Sequence, residues 1–308
     1  MVHAGAWRLG RRFMPGRRAA LLALALAGLP WPGAGGRALS LEVPFTSREY
    51  KQGLDVAALG PQAMSGAPAL VERLRGLLAR GGEGRGLAGL SFGPPRWRAV
   101  RFFDTADCRL RRASLLLRLR GEGAEGEVTL KARSPDLFRI AGMPLRARKE
   151  GREGWQDDFH LARQGEALVP VSDYALSVTV PGPVPVRLGA LRDRIAHLEE
   201  GWPDGGGGQG GWDAELRPGP AIAELSIRSP HLEIAGRKTR LELSLWYGRE
   251  DGRLLAGDLS FTLDLPLGPG EAGRAMAALA GLRTALGEAA GAEAEKSLRA
   301  LPGRCGEG

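Results

Sequence analysis

Alternating apolar and polar residues predict a β-hairpin near the middle of the chain. In Leu115–Arg120 leucine occupies every second position, and in Glu127–Arg133 apolar residues again alternate with polar ones. The short Gly-rich turn between the two segments, GEGAEG, favours antiparallel pairing. In that pairing one face of the hairpin is apolar and the other carries cations. The cations on the polar face are Arg118, Arg120, Lys131 and Arg133.

The same periodicity predicts strands and helices on both sides of this hairpin. The predicted strands are Leu39–Thr46, Trp97–Phe103, Leu176–Val180, Ile222–Arg228, Thr239–Tyr247 and Asp258–Leu265. Ala67–Ala79 has leucines at helical spacing. Glu271–Leu301 is rich in alanine and leucine and is predicted to be helical, with an expected break near Gly287 or Gly291. Phe159–Leu168 is predicted as a short helix. This mixture of elements indicates the α+β class.

Residues 1–38 have the three parts of a secretory signal peptide. A basic region precedes the apolar run Ala19–Leu29, which is too short to span a membrane. Prolines at positions 30 and 32 end that run, and small residues follow up to Ala38. We therefore expect cleavage after Ala38 and an exported protein, periplasmic or secreted, without a stable membrane anchor. A retained N-terminal anchor is the alternative.

Low-complexity composition marks the remaining boundaries of the chain. Residues 201–220 read GWPDGGGGQGGWDAELRPGP, a composition typical of a flexible insertion. We expect a single domain over residues 39–301 that contains this insertion, followed by a disordered tail at residues 302–308.

The basic composition does not indicate a nucleic-acid-binding protein. The chain of 308 residues carries a formal net charge of +8. Six arginines and no acidic residue lie in residues 1–38, so the predicted leader accounts for most of this excess. Because the remaining chain has only a small net charge, we expect no nucleic-acid partner.

Cysteine and histidine usage does not indicate a zinc site. His160, His197 and His231 are isolated in the sequence, and the two cysteines, Cys108 and Cys305, lie far apart. An exported protein can form a disulfide, but two distant cysteines do not establish one. We expect two unpaired thiols.

Four consecutive pieces of the chain resemble the central signature of the CYTH domain. They are Phe102–Thr105 (FFDT), Leu110–Ala113 (LRRA), the LRLR strand and Val128–Arg133 (VTLKAR). The CYTH superfamily, also called triphosphate tunnel metalloenzymes, includes class IV adenylate cyclases, thiamine triphosphatases and inorganic triphosphatases. The resemblance implies an antiparallel β-tunnel, barrel-like, with flanking helices. It extends in order over about residues 40–300, but its specific motifs are confined to residues 101–133.

The resemblance also implies a site for polyphosphate or an organic triphosphate inside the tunnel. Arginine and lysine aimed inward from several strands would neutralise such an anion, with bidentate arginine contacts to phosphate oxygens. Asp104, within the FFDT piece, is expected to stabilise the local turn instead. The predicted phosphate-binding residues are Arg109, Arg111, Arg118, Arg120, Lys131, Arg133 and Lys296.

Hydrolysis would require a divalent metal, Mg²⁺ or Mn²⁺, held by inward-facing carboxylates. The predicted metal ligands are Glu42 and Asp264. Members of the family begin with a Glu-x-Glu-x-Lys strand, which the segment 39–46 matches only at Glu42. Pro44 and Thr46 occupy the other two positions. The nearest other candidate for this motif is Glu49-Tyr50-Lys51.

Three hypotheses about function remain open at this stage. The first is an exported, metal-dependent triphosphatase, with Glu42 and Asp264 as its remaining ligands. The second is a binding module that has kept the phosphate-holding lumen and lost the metal. The third is a barrel that serves another ligand or a protein partner and uses its arginines in structural ion pairs. Cations are plentiful and carboxylates are sparse, so the sequence does not separate the first two hypotheses, and both are favoured over the third.

Overall fold

Nine strands with alternating inward and outward side chains form a closed β-barrel in the computed structural model. The structure describes residues 45–81, 90–122, 125–164, 167–202, 211–291 and 301–306, all within one unit. The strands are β1 (Ser47–Gly53), β2 (Arg96–Asp104), β3 (Leu115–Arg120), β4 (Glu127–Ser134), β5 (Arg152–Gln164), β6 (Ala167–Pro181), β7 (Ile222–Arg228), β8 (Leu241–Gly248) and β9 (Leu254–Asp264). The helices are α1 (Val56–Leu59), α2 (Ala67–Gly81), α3 (Arg109–Arg112), α4 (Leu137–Ala141) and α5 (Pro269–Leu286).

The strands follow the order β7-β8-β9-β1-β5-β6-β4-β3-β2 around the barrel, and β2 pairs with β7 to close the ring. At the closing seam Val100 of β2 lies opposite Ile222 of β7. Neighbouring strands are antiparallel except for the parallel pair of β1 and β5. Closure gives each of these nine strands a partner on both sides, which removes the exposed edges of an open sheet.

Short elements decorate the ends of the barrel. The short strand pairs are Arg146–Ala147 with Ile195–Ala196, Leu232–Ile234 with Arg237–Thr239, and Arg217–Pro218 with the end of β2. The described 3₁₀ segments are Met64–Gly66, Leu188–Asp193, Gly287–Ala289 and Gly303–Gly306.

Helices α2 and α5 cover the outer face of β7, β8, β9 and β1. The apolar stripe of α2, which includes Leu70, Leu74 and Leu78, packs in the same core as the outward residues of these strands. Within that core Tyr50 of β1 stacks on Phe261 of β9, with 4.9 Å between the ring centroids. Each large apolar side chain buried in this way stabilises the fold by about 1.5–3 kcal/mol.

A second apolar layer covers the outer face of β3, β4 and β6. Leu117, Leu130 and Val178 are fully buried there, together with Ile140 of α4 and Leu191 of a 3₁₀ turn. Because both outer faces are apolar and covered, the polar residues at the alternate positions point into the barrel. The two cores therefore fix which side chains line the interior.

The structure confirms the predicted α+β barrel with flanking helices. Both strands of the central hairpin form, with Leu115 opposite Ala132. Helix α5 ends where a break was expected, since Gly287 caps its C-terminus. The parallel pair of β1 and β5 makes the barrel mixed rather than wholly antiparallel.

One of the predicted elements is wrong. Most of the predicted strand Leu39–Thr46 lies outside the described residues; its last two residues, Phe45 and Thr46, precede the first described strand, which begins at Ser47. Phe159–Leu168 does not form a helix, because β5 and β6 pair with each other along this segment, with Phe159 opposite Ser172. Polar residues on both faces of β5 hide its alternation in the sequence.

The expectation of unpaired thiols is also wrong. Cys108 and Cys305 form a disulfide with an S–S distance of 2.01 Å, although they lie 197 positions apart in the sequence. The barrel brings their Cα atoms to 5.3 Å, a proximity that sequence spacing cannot predict. Cys305 belongs to the predicted tail, of which residues 302–306 are described.

Several expectations fall outside the described residues: the signal peptide, Glu42, Lys296 and residues 203–210 of the Gly-rich insertion. In the described part of that insertion Trp212 packs edge-on against Trp202, with ring centroids 5.4 Å apart. Among the helices that the structure describes, none is both long and apolar enough to cross a membrane.

Candidate anion-binding site

Charged side chains from many strands face the interior of the barrel, here called the lumen. Strand register puts the cations of the central hairpin on this face, as predicted: Phe102 lies opposite Arg118, which in turn lies opposite Thr129. The same alternation puts two cations of β2 and one of β1 on the inward face; Arg96, at the start of β2, is exposed. The other lumen-facing cations of β1 to β4 are Lys51, Arg98, Arg118, Arg120, Lys131 and Arg133.

Asp158 on β5 is surrounded by three of these cations. Its Oδ2 lies 2.9 Å from Nζ of Lys131 and 3.5 Å from Nη2 of Arg133, and its Oδ1 lies 3.2 Å from Nζ of Lys51. The carboxylate has no exposed surface. Burial alone would raise the pKa of Asp158, but the three cations outweigh burial and hold this pKa well below its usual range. Asp158 therefore stays ionised and ties β1, β4 and β5 together.

Two further carboxylates complete this Asp158 cluster. Glu49 lies 2.9 Å from Nζ of Lys51 and accepts a 2.7 Å hydrogen bond from Gln156. Asp173 lies 3.3 Å from Nη2 of Arg133. Three cations thus meet three carboxylates, so the cluster has little charge left for a ligand.

A second cluster is built around Glu224 of β7, which is only 3% exposed. Arg98 approaches its carboxylate to 3.3 Å and Arg120 to 3.2 Å. The indole Nε1 of Trp246 donates a 3.2 Å hydrogen bond to the same carboxylate. Here two guanidinium groups share one counter-ion, in contrast to the balanced Asp158 cluster.

Arg118 extends this Glu224 cluster along β3 and differs from its neighbours. Within the described part of the chain its side chain has no hydrogen bond and no ion pair, and its Nε is shielded from solvent. Burial, together with repulsion from Arg120, lowers the pKa of Arg118 to about 10, so the group is still charged at neutral pH. The nearby carboxylates of Glu127 and Glu242 also act on these arginines, but each is already paired, with Arg152 at 2.7 Å and with Arg228 at 2.8 Å. Arg98, Arg118 and Arg120 therefore depend mainly on Glu224, which leaves this part of the lumen positive.

A cavity of about 460 Å³ lies at one mouth of the barrel. The inward residues Glu49, Glu242 and Ser260 line it from the strands, and Lys238 and Arg240 line it from the hairpin that precedes β8. This mouth offers an anion a polar route toward the lumen, past exposed cations.

Three other predicted site residues, Arg109, Arg111 and Asp264, lie outside the Asp158 and Glu224 clusters. Arg109 and Arg111 are on α3 at the end of the barrel: Arg109 pairs with Asp107 at 2.9 Å, and Arg111 donates to the backbone carbonyl of Cys305. Asp264 is exposed at the end of β9. Asp104 plays the turn-stabilising role expected of it, because its carboxylate accepts hydrogen bonds from backbone N–H groups of residues 105, 110 and 111.

Sequence reasoning missed the acidic half of the lumen and two of its cations: Lys51, Arg98, Asp158, Asp173 and Glu224. Lys51 was within reach, since the segment Glu49-Tyr50-Lys51 provides the Glu-x-Lys part of the family motif and lies on β1. Arg98 was also within reach, since it lies in the predicted strand Trp97–Phe103 on the same face as Val100 and Phe102. The acidic residues carry no local pattern that separates them from surface carboxylates.

The described carboxylates do not fit a divalent metal. Within the described ranges no group of three His, Cys, Asp or Glu side chains is placed to hold one. Glu49 and Asp158 already contact lysine or arginine nitrogens, which occupy the positions that a metal would need. Glu42 lies outside the described residues, so the pair of Glu42 and Asp264 stays a prediction.

No family model matches this sequence, and neither does any curated protein. Two solved structures resemble the barrel at low sequence identity. One is a candidate adenylyl cyclase from Hippeastrum described as having a dominant triphosphatase activity, with a TM-score of 0.38, 13% identity, and coverage of 71% of this chain and 80% of that one. The other is a candidate adenylate cyclase from Bacillus halodurans, with a TM-score of 0.33, 12% identity, and coverage of 77% and 90%. At this level of similarity neither carries an argument about function.

Proposed function

We propose that the barrel binds triphosphate or short linear polyphosphate in its lumen, with Arg98, Arg118 and Arg120 as the principal phosphate contacts. The observation that carries this proposal is the Arg118 guanidinium, which is shielded at Nε, charged and unpaired within the described residues. A buried charge without a partner costs free energy that a bound anion would recover.

The chemistry of this cluster suits phosphate oxygens. Guanidinium groups offer several N–H donors in a fixed planar fork, which matches phosphate and favours bidentate contacts. A neutral ligand would gain little binding energy from Arg98 and Arg120. An anionic ligand would neutralise the positive charge that the carboxylate of Glu224 does not balance. The resemblance of segment 101–133 to the CYTH signature points to the same ligand class.

Within this proposal the Asp158 cluster has a structural role. Lys131 and Arg133, predicted as phosphate ligands, already contact Asp158. Replacing that carboxylate by phosphate would break ion pairs that hold three strands together. We therefore propose that phosphate is bound mainly through the Glu224 cluster, and that the Asp158 cluster shapes the wall beside it.

Binding without turnover is the form of the proposal that the described residues support best. The carboxylates of the lumen that could hold a metal are engaged by cations, Glu49 by Lys51 and Asp173 by Arg133. Metal-dependent hydrolysis with Mg²⁺ or Mn²⁺ would depend on Glu42, which lies outside the described residues, and on Asp264, which is exposed at the end of β9.

We further propose that the protein is exported to the periplasm or secreted. The pattern of residues 1–38 supports export, and the Cys108–Cys305 disulfide adds to that support, because disulfides persist mainly in oxidising compartments.

Isothermal titration calorimetry of the purified protein at constant ionic strength tests the proposal. We expect tripolyphosphate to bind, orthophosphate to bind more weakly because it engages fewer arginines, and the affinity to fall as salt is added. Absence of heat and of thermal stabilisation with tripolyphosphate at low salt would overturn the proposal.

A further inference from the structure

The C-terminal segment Leu301–Gly306 packs against the interior of the barrel at the end where α3 lies. Leu301 and Cys305 are buried in one apolar cluster with Val100, Phe102 and Trp246, which are inward-facing residues of β2 and β8. The segment thus covers one end of the lumen. The two other apolar clusters, in contrast, cover the outer face of the barrel.

This covering segment lies beside Arg118. Phe102, one of the residues it packs with, is directly opposite Arg118 in the pairing of β2 and β3. Leu116, two positions before Arg118 on the same strand face, also packs against the cluster. Removing the segment would therefore open the end of the lumen next to the unpaired guanidinium.

The attachment of the segment depends strongly on the disulfide. Cys305 is joined to Cys108, and its backbone carbonyl accepts a hydrogen bond from Arg111. The base of this attachment is rigid, because the buried carboxylate of Asp104 accepts hydrogen bonds from the backbone of α3. Burial of the Leu301 and Cys305 side chains and the hydrogen bond from Arg111 offset only part of the entropy of ordering a six-residue segment, so the cross-link decides whether the segment stays in place.

We propose that the Cys108–Cys305 disulfide is a redox-controlled closure of the lumen beside Arg118, which is half-buried in the closed form, and that its reduction releases the C-terminal segment and further exposes this guanidinium. The proposal deepens the proposed function by adding regulation to the same site. The reductant is a dithiol: its thiolate attacks one sulfur of the disulfide and forms a mixed disulfide, which the second thiol resolves. Two electrons and two protons pass to the two cysteines, and the dithiol becomes a disulfide.

Arginine modification by phenylglyoxal, mapped by peptide mass spectrometry, tests the closure without any phosphate ligand. The full-length protein is compared before and after treatment with dithiothreitol, which is removed before modification. We expect the modification rate of Arg118 to rise severalfold on reduction. Arg112, whose side chain is 65% exposed, serves as the control and should react equally in both states. Arg133, held by Asp158 and Asp173, should stay slow.

Equal rates at Arg118 in the two states would overturn the proposal. A rate that rises at Arg133 as well would also overturn it, because the whole barrel would then have opened rather than one end. The C108S/C305S variant provides an independent check: its Arg118 should react rapidly without reductant, and dithiothreitol should have no further effect on it.

The outcome is separable from that of the proposed function. If Arg118 opens on reduction but tripolyphosphate does not bind, the closure stands and the phosphate proposal falls. If tripolyphosphate binds but Arg118 reacts equally in both redox states, the phosphate proposal stands and the closure falls.

Discussion

Lys131 Nζ lies 2.9 Å from Oδ2 of Asp158, a carboxylate without exposed surface that also contacts Lys51 and Arg133. This contact shows that the four cations of the central hairpin do not form one uniform anion-binding surface. Two of its four cations are neutralised by a carboxylate from β5, whereas Arg118 forms no ion pair within the described residues. The lumen is therefore divided into a balanced ion-pair cluster and a positively charged one.

Replacing Asp158 by asparagine should destabilise the barrel strongly. Three cations would lose their shared counter-ion, and breaking a buried ion pair on one side costs about 3–5 kcal/mol. Urea unfolding followed by tryptophan fluorescence measures the change in the free energy of unfolding. The matched control is Asp264→Asn at the exposed end of β9, which should stay within about 0.5 kcal/mol of the wild type. A neutral effect of Asp158→Asn would show that the cluster does not hold the strands together.

Stability should fall as the pH is lowered below about 6.5, the usual pKa of histidine. Burial, reinforced by the positive charge of Arg133, lowers the pKa of His160 in the folded protein. Below this pH His160 is protonated more readily in the unfolded chain than in the folded barrel, so lower pH favours unfolding. His160→Gln should flatten this part of the profile of unfolding free energy against pH. An unchanged slope in the variant would assign the effect to other groups.

Removal of divalent metals should leave the affinity for tripolyphosphate unchanged. In the proposed site guanidinium groups contact the phosphates directly, and no described carboxylate cluster is placed to hold a metal. Titration in a buffer containing EDTA, compared with the same buffer without it, measures this. Loss of binding in EDTA would instead favour the metal-dependent hypothesis and its predicted ligands, Glu42 and Asp264.

Local alternation was sufficient to predict much of the barrel. Strands such as β3 and β7 each have one apolar face that packs in a core, so their period-2 pattern is visible in the sequence. Strand β5 has no such pattern, because its outward Asp157 pairs with Arg48 while its inward Asp158 joins the lumen cluster. Polar residues on both faces conceal a strand.

The candidate site was only half predictable for a related reason. The sequence places Arg118 and Arg120 on one strand face, but Glu224, the partner of Arg120, is 104 positions away. Which cations are neutralised depends on the strand order around the closed barrel. The Cys108–Cys305 pair shows the same limit, since the barrel alone brings its two halves together.

Comparison of Arg118→Gln with the wild type, by calorimetric titration with tripolyphosphate, tests the central claim most directly. A charge-assisted hydrogen bond contributes about 1.5–3 kcal/mol, so the affinity should fall by at least about tenfold. The variant should unfold at the same or a higher denaturant concentration, because it removes a half-buried charge without an ion-pair partner in the described residues. Arg112→Gln, on the exposed side of α3, should bind as the wild type does. Equal affinity in Arg118→Gln and the wild type would contradict the claim that this arginine holds the anion.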